Sequence, residues 1–309
     1  MTTEATLSPA ALLDAARDGS TRALARALTV LERGEADAEA LDRAASAAAT
    51  GHARTVGLTG PPGAGKSCLV DALSAELCRR GRRVAVLAVD PSSPFSGGAL
   101  LGDRTRLRAD PDPRLFVRSI ASRGRLGGLA PMTRAATRLL DAAGFDVVLL
   151  ETVGVGQSEI EVARVADCVI VVSVPGNGDG VQLAKAGLLE TGDLYAVNKS
   201  DRDPSAAQQL ARALRATVAA DVVVCSALRE EGTAALCDAA QQQLAVAESS
   251  GALRTRRAAA VEHELLELVA ADAVAAVQAR GDGLREAAAA VAAGRTTTRA
   301  AARELLSTS

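Results

Sequence analysis

The chain has 309 residues, enough for one large domain with extensions or for two small ones. Its 48% hydrophobic and 23% charged content is that of a globular protein, and with aromatics at 1% and no Trp its core must be built from Ala, Val and Leu. The formal net charge of −2 supplies no bulk attraction to nucleic acid or to an anionic membrane, so neither is expected as a partner.

Local basic clusters, Arg79 to Arg83 and Arg254 to Arg257, read as solvated helix ends rather than binding patches. The five cysteines, Cys68, Cys78, Cys168, Cys225 and Cys237, form neither a CxxC pair nor a disulfide framework. His52 and His263 stand far apart in sequence, so there is no metal-binding tract. Met1 to Asp18 lacks the basic region and apolar core of a signal peptide, and no run approaches the length of a membrane span. A reducing, cytoplasmic setting is expected.

Residues 1–50 read as an N-terminal helical extension. Ser8 is a plausible N-cap, Pro9 suits a first turn, and Leu12, Leu13 and Ala16 recur at helical spacing. Leu24, Ala27, Leu28 and Leu31 continue such a face until Gly34 breaks it. A helical cap on the main domain is expected here.

From residue 51 to 250 strands alternate with helices. Thr55–Thr59, Val84–Val89, Leu115–Ile120, Phe145–Leu150, Cys168–Val174, Leu194–Val197 and Val222–Cys225 are the expected strands. Continuous apolar strands with helical crossovers predict an α/β fold, a mainly parallel sheet covered on both faces. Ligands of such sheets sit beyond the carboxyl ends of the strands. Asp90, Glu151, Asn198 and Ser226 all fall at or just past those ends.

The first expected strand runs into Gly60-Pro61-Pro62-Gly63-Ala64-Gly65-Lys66-Ser67, the P-loop pattern GxxxxGK[ST], and a helical pattern from Ser67 to Arg80 follows. Glycines let backbone N–H groups turn inward into a concave anion site, and the helix N-terminus adds positive charge. Lys66 is expected to reach the β- and γ-phosphates, and the Ser67 hydroxyl to ligate Mg²⁺. Cys68 completes the first turn.

The connection from Asp90 to Arg104 is long, polar and rich in Gly and Pro, as functional loops often are. Its acids Asp90 and Asp103 are candidates to hold Mg²⁺ or the attacking water. Glu151 follows the fourth expected strand in the Walker-B location, where it can organise Mg²⁺. Gly154 is placed so that its N–H could sense a γ-phosphate, which makes 152–159 a candidate switch. Asp90, with Gln157 behind it, is the candidate to orient water for in-line attack, while Lys66, the loop amides and Mg²⁺ stabilise phosphate charge.

Asn198-Lys199-Ser200-Asp201 stands at the end of the sixth expected strand. An Asp201 carboxylate can accept from both N1–H and the 2-amino group of guanine. Adenine would turn a lone pair toward it, so GTP is expected over ATP. Asn198 and Lys199 would brace the loop and cover the base. Ser226-Ala227 fits a loop whose backbone N–H meets guanine O6.

Residues 251–309 are expected to be helical, with breaks at Gly281 to Gly283 and at Gly294. Leu265, Leu266 and Val269 form an apolar stripe that could pack back on its own domain or pair with a second subunit. Pairing is preferred, because a tail outside a complete α/β domain has less need to form a core.

The ordered segments DPSSPFSGGALLGDRTRL, SRGRLGGL, ETVGVGQSE, PGNGDGVQLAKAGLLE and NKSD, together with the P-loop, resemble the MeaB/ArgK-type GTPases over about Val56 to Arg257. That resemblance implies a P-loop GTPase domain that binds GTP, GDP and Mg²⁺. It further implies a chaperone that gates or protects cobalamin loading of an adenosylcobalamin-dependent acyl-CoA mutase, cobalamin being met only through that partner. It also implies a homodimer through the C-terminal helices, and a partner switch in Gly176 to Glu190 that contains Gln182 and Lys185. Cys68 departs from the family, which usually has a hydroxyl residue there. A buried, inert thiol is expected at that position, with redox sensitivity as the lesser alternative. The rival readings are a nickel-type metal-delivery GTPase, a transport accessory ATPase, and a GTP-dependent binding module with little turnover.

Overall fold

A computed structural model describes residues 7–90, 112–121, 129–152, 162–176 and 191–307. Among them seven strands form one sheet: β1 (Arg54–Thr59), β2 (Val84–Asp90), β3 (Leu115–Ala121), β4 (Val147–Thr152), β5 (Cys168–Ser173), β6 (Leu194–Val197) and β7 (Asp221–Val224). Their order is β3-β2-β4-β1-β5-β6-β7, and every neighbouring pair is parallel. All carboxyl ends therefore share one edge, with β1 in the middle. The fourth strand departs from expectation. It begins at Val147 rather than Phe145, because the Phe145 amide closes the preceding helix, donating to Leu140 O at 3.1 Å, while its ring packs against Phe116 and beneath the Arg83 guanidinium. Pairing with β1 starts only at Arg54↔Val147 and continues to Leu58↔Glu151, which draws Glu151 inside the strand.

Helices cover both faces, as an all-parallel sheet requires. On one face lie α1 (Pro9–Arg17), α2 (Thr21–Arg33), α3 (Ala38–Ala48) and α5 (Leu129–Ala142). Their Leu24, Leu28, Leu41 and Leu139 share a core with Leu87, Ile120 and Leu150 of the sheet. Ser8 and Ser20 cap α1 and α2, accepting from Ala11 N and Ala23 N. Gly34, in the left-handed region at φ 57°, ends α2. Arg118 of β3 donates to the buried Glu32 of α2 at 3.0 Å. The N-terminal helices thus belong to the sheet's own core.

On the other face α4 (Lys66–Arg79) and α7 (Thr233–Ser249) bring Leu69, Leu73 and Leu236 onto Leu58, Leu149 and Ile170. The helix α6 (Pro204–Thr217) covers β5 to β7. There Ala207 and Ala211 share a cluster with the fully buried Tyr195. With so few aromatics, Leu, Val and Ala do most of the filling, each buried Leu or Val contributing about 1.5–3 kcal/mol.

Asp141 on α5 organises the approach to β1. It accepts from Gly51 N at 2.7 Å, Ala53 N at 2.9 Å and the Thr50 hydroxyl at 3.0 Å. Burial alone would raise its pKa, but these donors outweigh it and hold the carboxyl below its ordinary value. A depressed folded pKa contributes stability above the unfolded value, near 3.9, that is lost as pH falls through the folded value. Asp141→Asn is accordingly expected to remove part of the acid limb of unfolding below pH about 4. The check is the unfolding midpoint of both proteins across that range. An unchanged acid limb would place the sensitivity elsewhere.

At the C-terminal end, α8 (Ala252–Ala279) spans roughly 42 Å. Two adjacent arginines root it. Arg256 grips Asp193 with both terminal nitrogens at 2.7 Å, and Arg257 grips Asp167 at 2.6–2.7 Å. Helices α9 (Asp282–Ala292) and α10 (Thr298–Ser307) follow, separated at Gly281 and Gly294. Leu265, Leu266 and Val269 are 57%, 64% and 65% exposed, so within this chain they stay off the body. No helix among the described residues is long and apolar enough to cross a membrane.

Candidate functional site

The loop after β1 turns on two glycines. Gly60 has φ 142°, and a Cβ there would collide with the Val172 carbonyl oxygen. Gly65 has φ 89° and is the residue from which α4 starts; a Cβ there would stand 2.6 Å from Asn198 Nδ2. Backbone strain in the left-handed region costs roughly 1–3 kcal/mol, so Gly65→Ala is expected to destabilise the fold by about that much. Because the added methyl also displaces Asn198, nucleotide binding should weaken more than stability does. Denaturant unfolding and fluorescent-nucleotide titration, run side by side, check this; a neutral result in both would remove the close approach.

Pro61, Pro62, Gly63 and Ala64 complete the loop. Lys66 opens α4 and tucks its ammonium back across it, donating to Gly60 O at 2.5 Å and to Pro61 O at 3.3 Å. The Ser67 hydroxyl donates to Glu151 Oε1. Glu151 is only 1% exposed, so the carboxylate is an interior group facing the start of α4. A hydroxyl and a carboxylate oxygen side by side form a hard-oxygen pair that fits Mg²⁺, which takes one or two protein oxygens and fills its shell from phosphates and water. Asp90 closes β2 at the same edge, one residue beyond the Val89↔Thr152 pair. Asp103, Gly154, Gln157, Gln182 and Lys185 lie outside the described residues. Cys68 departs from expectation: it is exposed, because α4 turns Leu69, Val70 and Leu73 inward and leaves position 68 outside.

On the other side of β1, beyond β6, Asn198 is buried and joins two loops. Its Nδ2 donates to Ala64 O at 3.0 Å, and its Oδ1 accepts from Ala227 N at 3.0 Å. Lys199 adopts φ 60°, rare for a non-glycine residue, and its Nζ reaches Gly63 O at 2.5 Å. The phosphate loop and the NKSD loop are thus bound directly to each other. Asp201 Oδ1 accepts from Ser226 Oγ at 2.5 Å. That hydroxyl, ahead of the nearby Arg229 and Arg202 charges, holds the carboxyl below its usual range. Ionised at neutral pH, Asp201 only accepts hydrogen bonds, as pairing with two guanine donors requires.

Ser226 and Ala227 follow β7, but their amides are not left facing a base. Ser226 N donates to Glu231 O, and Ala227 N to Asn198 Oδ1. The expected N–H donor to guanine O6 is therefore engaged, because the buried Asn198 carbonyl needs a donor of its own. The backbone pairing of Ser226 with Glu231 shapes this loop, and Gly232 closes it at φ 73°. Neither residue emerged from the motifs; the Gly after Glu230-Glu231, just before a helical run, is the signal that could have found the turn. Cys225 just before the loop is buried, and its thiol is pushed up to about 12 by desolvation, so it stays protonated.

The family profile described as "Methylmalonyl Co-A mutase-associated GTPase MeaB" matches residues 24–282. A Pyrococcus abyssi protein named as a GTPase is 42% identical over 269 residues, covering 84% of this chain and 83% of that one. "GTPase ArgK" of Escherichia coli is 44% identical over 210 residues, 66% of this chain and 62% of its own length. The crystal structure of "LAO/AO transport system kinase" superposes with a TM-score of 0.71 at 30% identity, covering 99% of this chain and 98% of that one.

Proposed function

The chain belongs to the MeaB family of methylmalonyl-CoA mutase-associated GTPases, and from that premise we propose that it is an Mg²⁺-dependent GTP phosphohydrolase serving as chaperone to an adenosylcobalamin-dependent acyl-CoA mutase. Its work would be to gate or protect cobalamin loading of that mutase. The observation that carries the nucleotide half is Asn198, which links the phosphate loop at Ala64 to the base loop at Ala227. One buried side chain thereby sets the distance between triphosphate and base subsites.

In this mechanism the amides of Gly60 to Ser67 and the N-terminus of α4 cradle the phosphates. Lys66 transfers its ammonium from the loop carbonyls to the β- and γ-phosphate oxygens. Ser67 and Glu151 would hold Mg²⁺, which would supply charge neutralisation for the phosphates. Asp201 selects guanine, and Lys199 covers it. Asp90 and Gln157 are proposed to orient the attacking water, with Asp103 a further metal-side acid and Gly154 the sensor of the γ-phosphate. Residues 51–250 then form the GTPase domain, 1–50 a helical extension and 251–309 a dimerisation arm. Gln182 and Lys185 are proposed to face the mutase.

The test is steady-state GTP turnover with and without a panel of acyl-CoA mutases, with Lys66→Ala as control. Marked stimulation by one mutase, absent in the variant, supports the chaperone function and names its client. GTP binding with no stimulation by any mutase would overturn the chaperone half and favour metal delivery or a binding module.

A further inference from the structure

The segment entering β5 is seated on three elements. Residues 162–165 form a short helical turn. Its Val162 and the following Ala166 press on β1 at Gly57, where a Cβ would lie only 2.7 Å from Val162 Cγ1. Arg134 of α5 donates to Arg164 O at 2.8 Å and stands 3.8 Å from Glu264 of α8. On the α8 side, Arg164 Nη1 lies 2.9 Å from His263 Nε2. The turn therefore touches both the strand that carries the phosphate loop and the helix that leaves the domain.

His263 has a second neighbour at the same atom: Glu267 Oε1 is 3.0 Å from Nε2. A guanidinium only donates and a carboxylate only accepts. A ring nitrogen bearing a lone pair can serve Arg164, and one bearing hydrogen can serve Glu267, but not both at once. Among the described residues Glu267 Oε2 is buried with no hydrogen-bond partner, and the oxygen of this carboxylate that faces His263 is Oε1. The two contacts compete.

We propose that His263 is a positioning residue, a two-way latch that carries the state of the nucleotide site into α8. With Nε2 accepting from Arg164, α8 is tied to the 162–165 turn. With Nε2 donating to Glu267, His263 is satisfied within α8 and the tie is released. Besides Glu264, α8 buries Leu253, Ala260 and Ala271, and its polar links to the body are made by Arg256, Arg257, His263 and Glu264. Leu265 and Val269 point away. A shift of the 162–165 turn is thus passed through polar contacts to a helix whose outer apolar stripe moves with it. The latch rests on the nucleotide reading above and adds a route by which the arm responds to it.

Hydrogen exchange along α8 tests the latch, comparing full-length protein loaded with GDP and Mg²⁺ against protein loaded with a non-hydrolysable GTP analogue and Mg²⁺. Nucleotide binding is measured separately by fluorescence titration. Wild type should show a difference in protection between the two states within residues 258–270. Arg164→Ala and His263→Ala should each shrink that difference at least fivefold while binding nucleotide normally. Their double variant should be no worse than either single, since both remove one contact. His263→Gln, which can accept from Arg164 and donate to Glu267 at once through separate atoms, should hold the tie in both states, so α8 should stay protected with little difference between the nucleotides, whereas His263→Ala should lose protection in both; equal protection of α8 in the two variants, which a merely structural role would give, overturns the latch. Wild type that binds both nucleotides with no difference in α8, or Arg164→Ala with an undiminished one, overturns the latch. Failure of wild type to bind either nucleotide overturns the nucleotide reading and the latch with it.

Discussion

Lys66→Ala is expected to lower GTP turnover by roughly 10²–10³-fold, the usual cost of removing one preorganised group that stabilises charge in the transition state. Lys66 is 8% exposed and its ammonium is held by two loop carbonyls, so it is already confined to the phosphate loop and little reorganisation is needed when phosphates arrive. Its charge becomes most useful as negative charge shifts among the phosphate oxygens, which puts the loss in kcat more than in KM. Thermal unfolding of the variant separates this from damage to the loop, because alanine also leaves the Gly60 and Pro61 carbonyls without that donor. Turnover within twofold of wild type in a folded variant would remove Lys66 from the chemistry.

Asp201→Asn is expected to weaken GTP binding by roughly 10²–10⁴-fold, since two hydrogen bonds to a charged acceptor are lost or impaired at about 1.5–3 kcal/mol each. An asparagine offers one acceptor oxygen and turns an N–H toward a guanine N–H. The Ser226 hydroxyl, 2.5 Å from Asp201 Oδ1, still fixes the orientation of the side chain, so the effect should be chemical rather than conformational. Competition titrations with GTP, ATP and ITP make the comparison specific. Inosine lacks the 2-amino group, so wild type should prefer GTP to ITP, and the variant should bring the two within a few fold of each other. Unchanged ratios among the three nucleotides would overturn base recognition by Asp201.

Much of this site was legible in the sequence because its signals are short-range. Gly60 to Ser67 fixes a loop and a helix start within eight residues, and the apolar run before it reads as a buried strand. The acid and amide residues at strand ends could be placed at one edge because parallel strands send all their carboxyl ends the same way. Boundaries were less legible. Phe145 belongs to an apolar run, but its amide is tied back to Leu140 O at the end of α5, and Glu151 lies inside β4 because β1 pairs with it there. Cys68 was expected to be buried, but which face of α4 meets the sheet is decided by Leu69 and Leu73.

By itself, then, the sequence determined the alternation of strand and helix, the phosphate loop, the NKSD loop and the family. These depend on periodicity and on backbone chemistry among residues close in the chain. Only the tertiary structure decided that Asn198 joins Ala64 to Ala227, that Ser67 meets Glu151, and that Arg164 meets His263. Those partners are brought together from distant parts of the chain by strand order and helix seating. A hydrogen bond depends on fractions of an ångström at its end, and no local pattern carries that information.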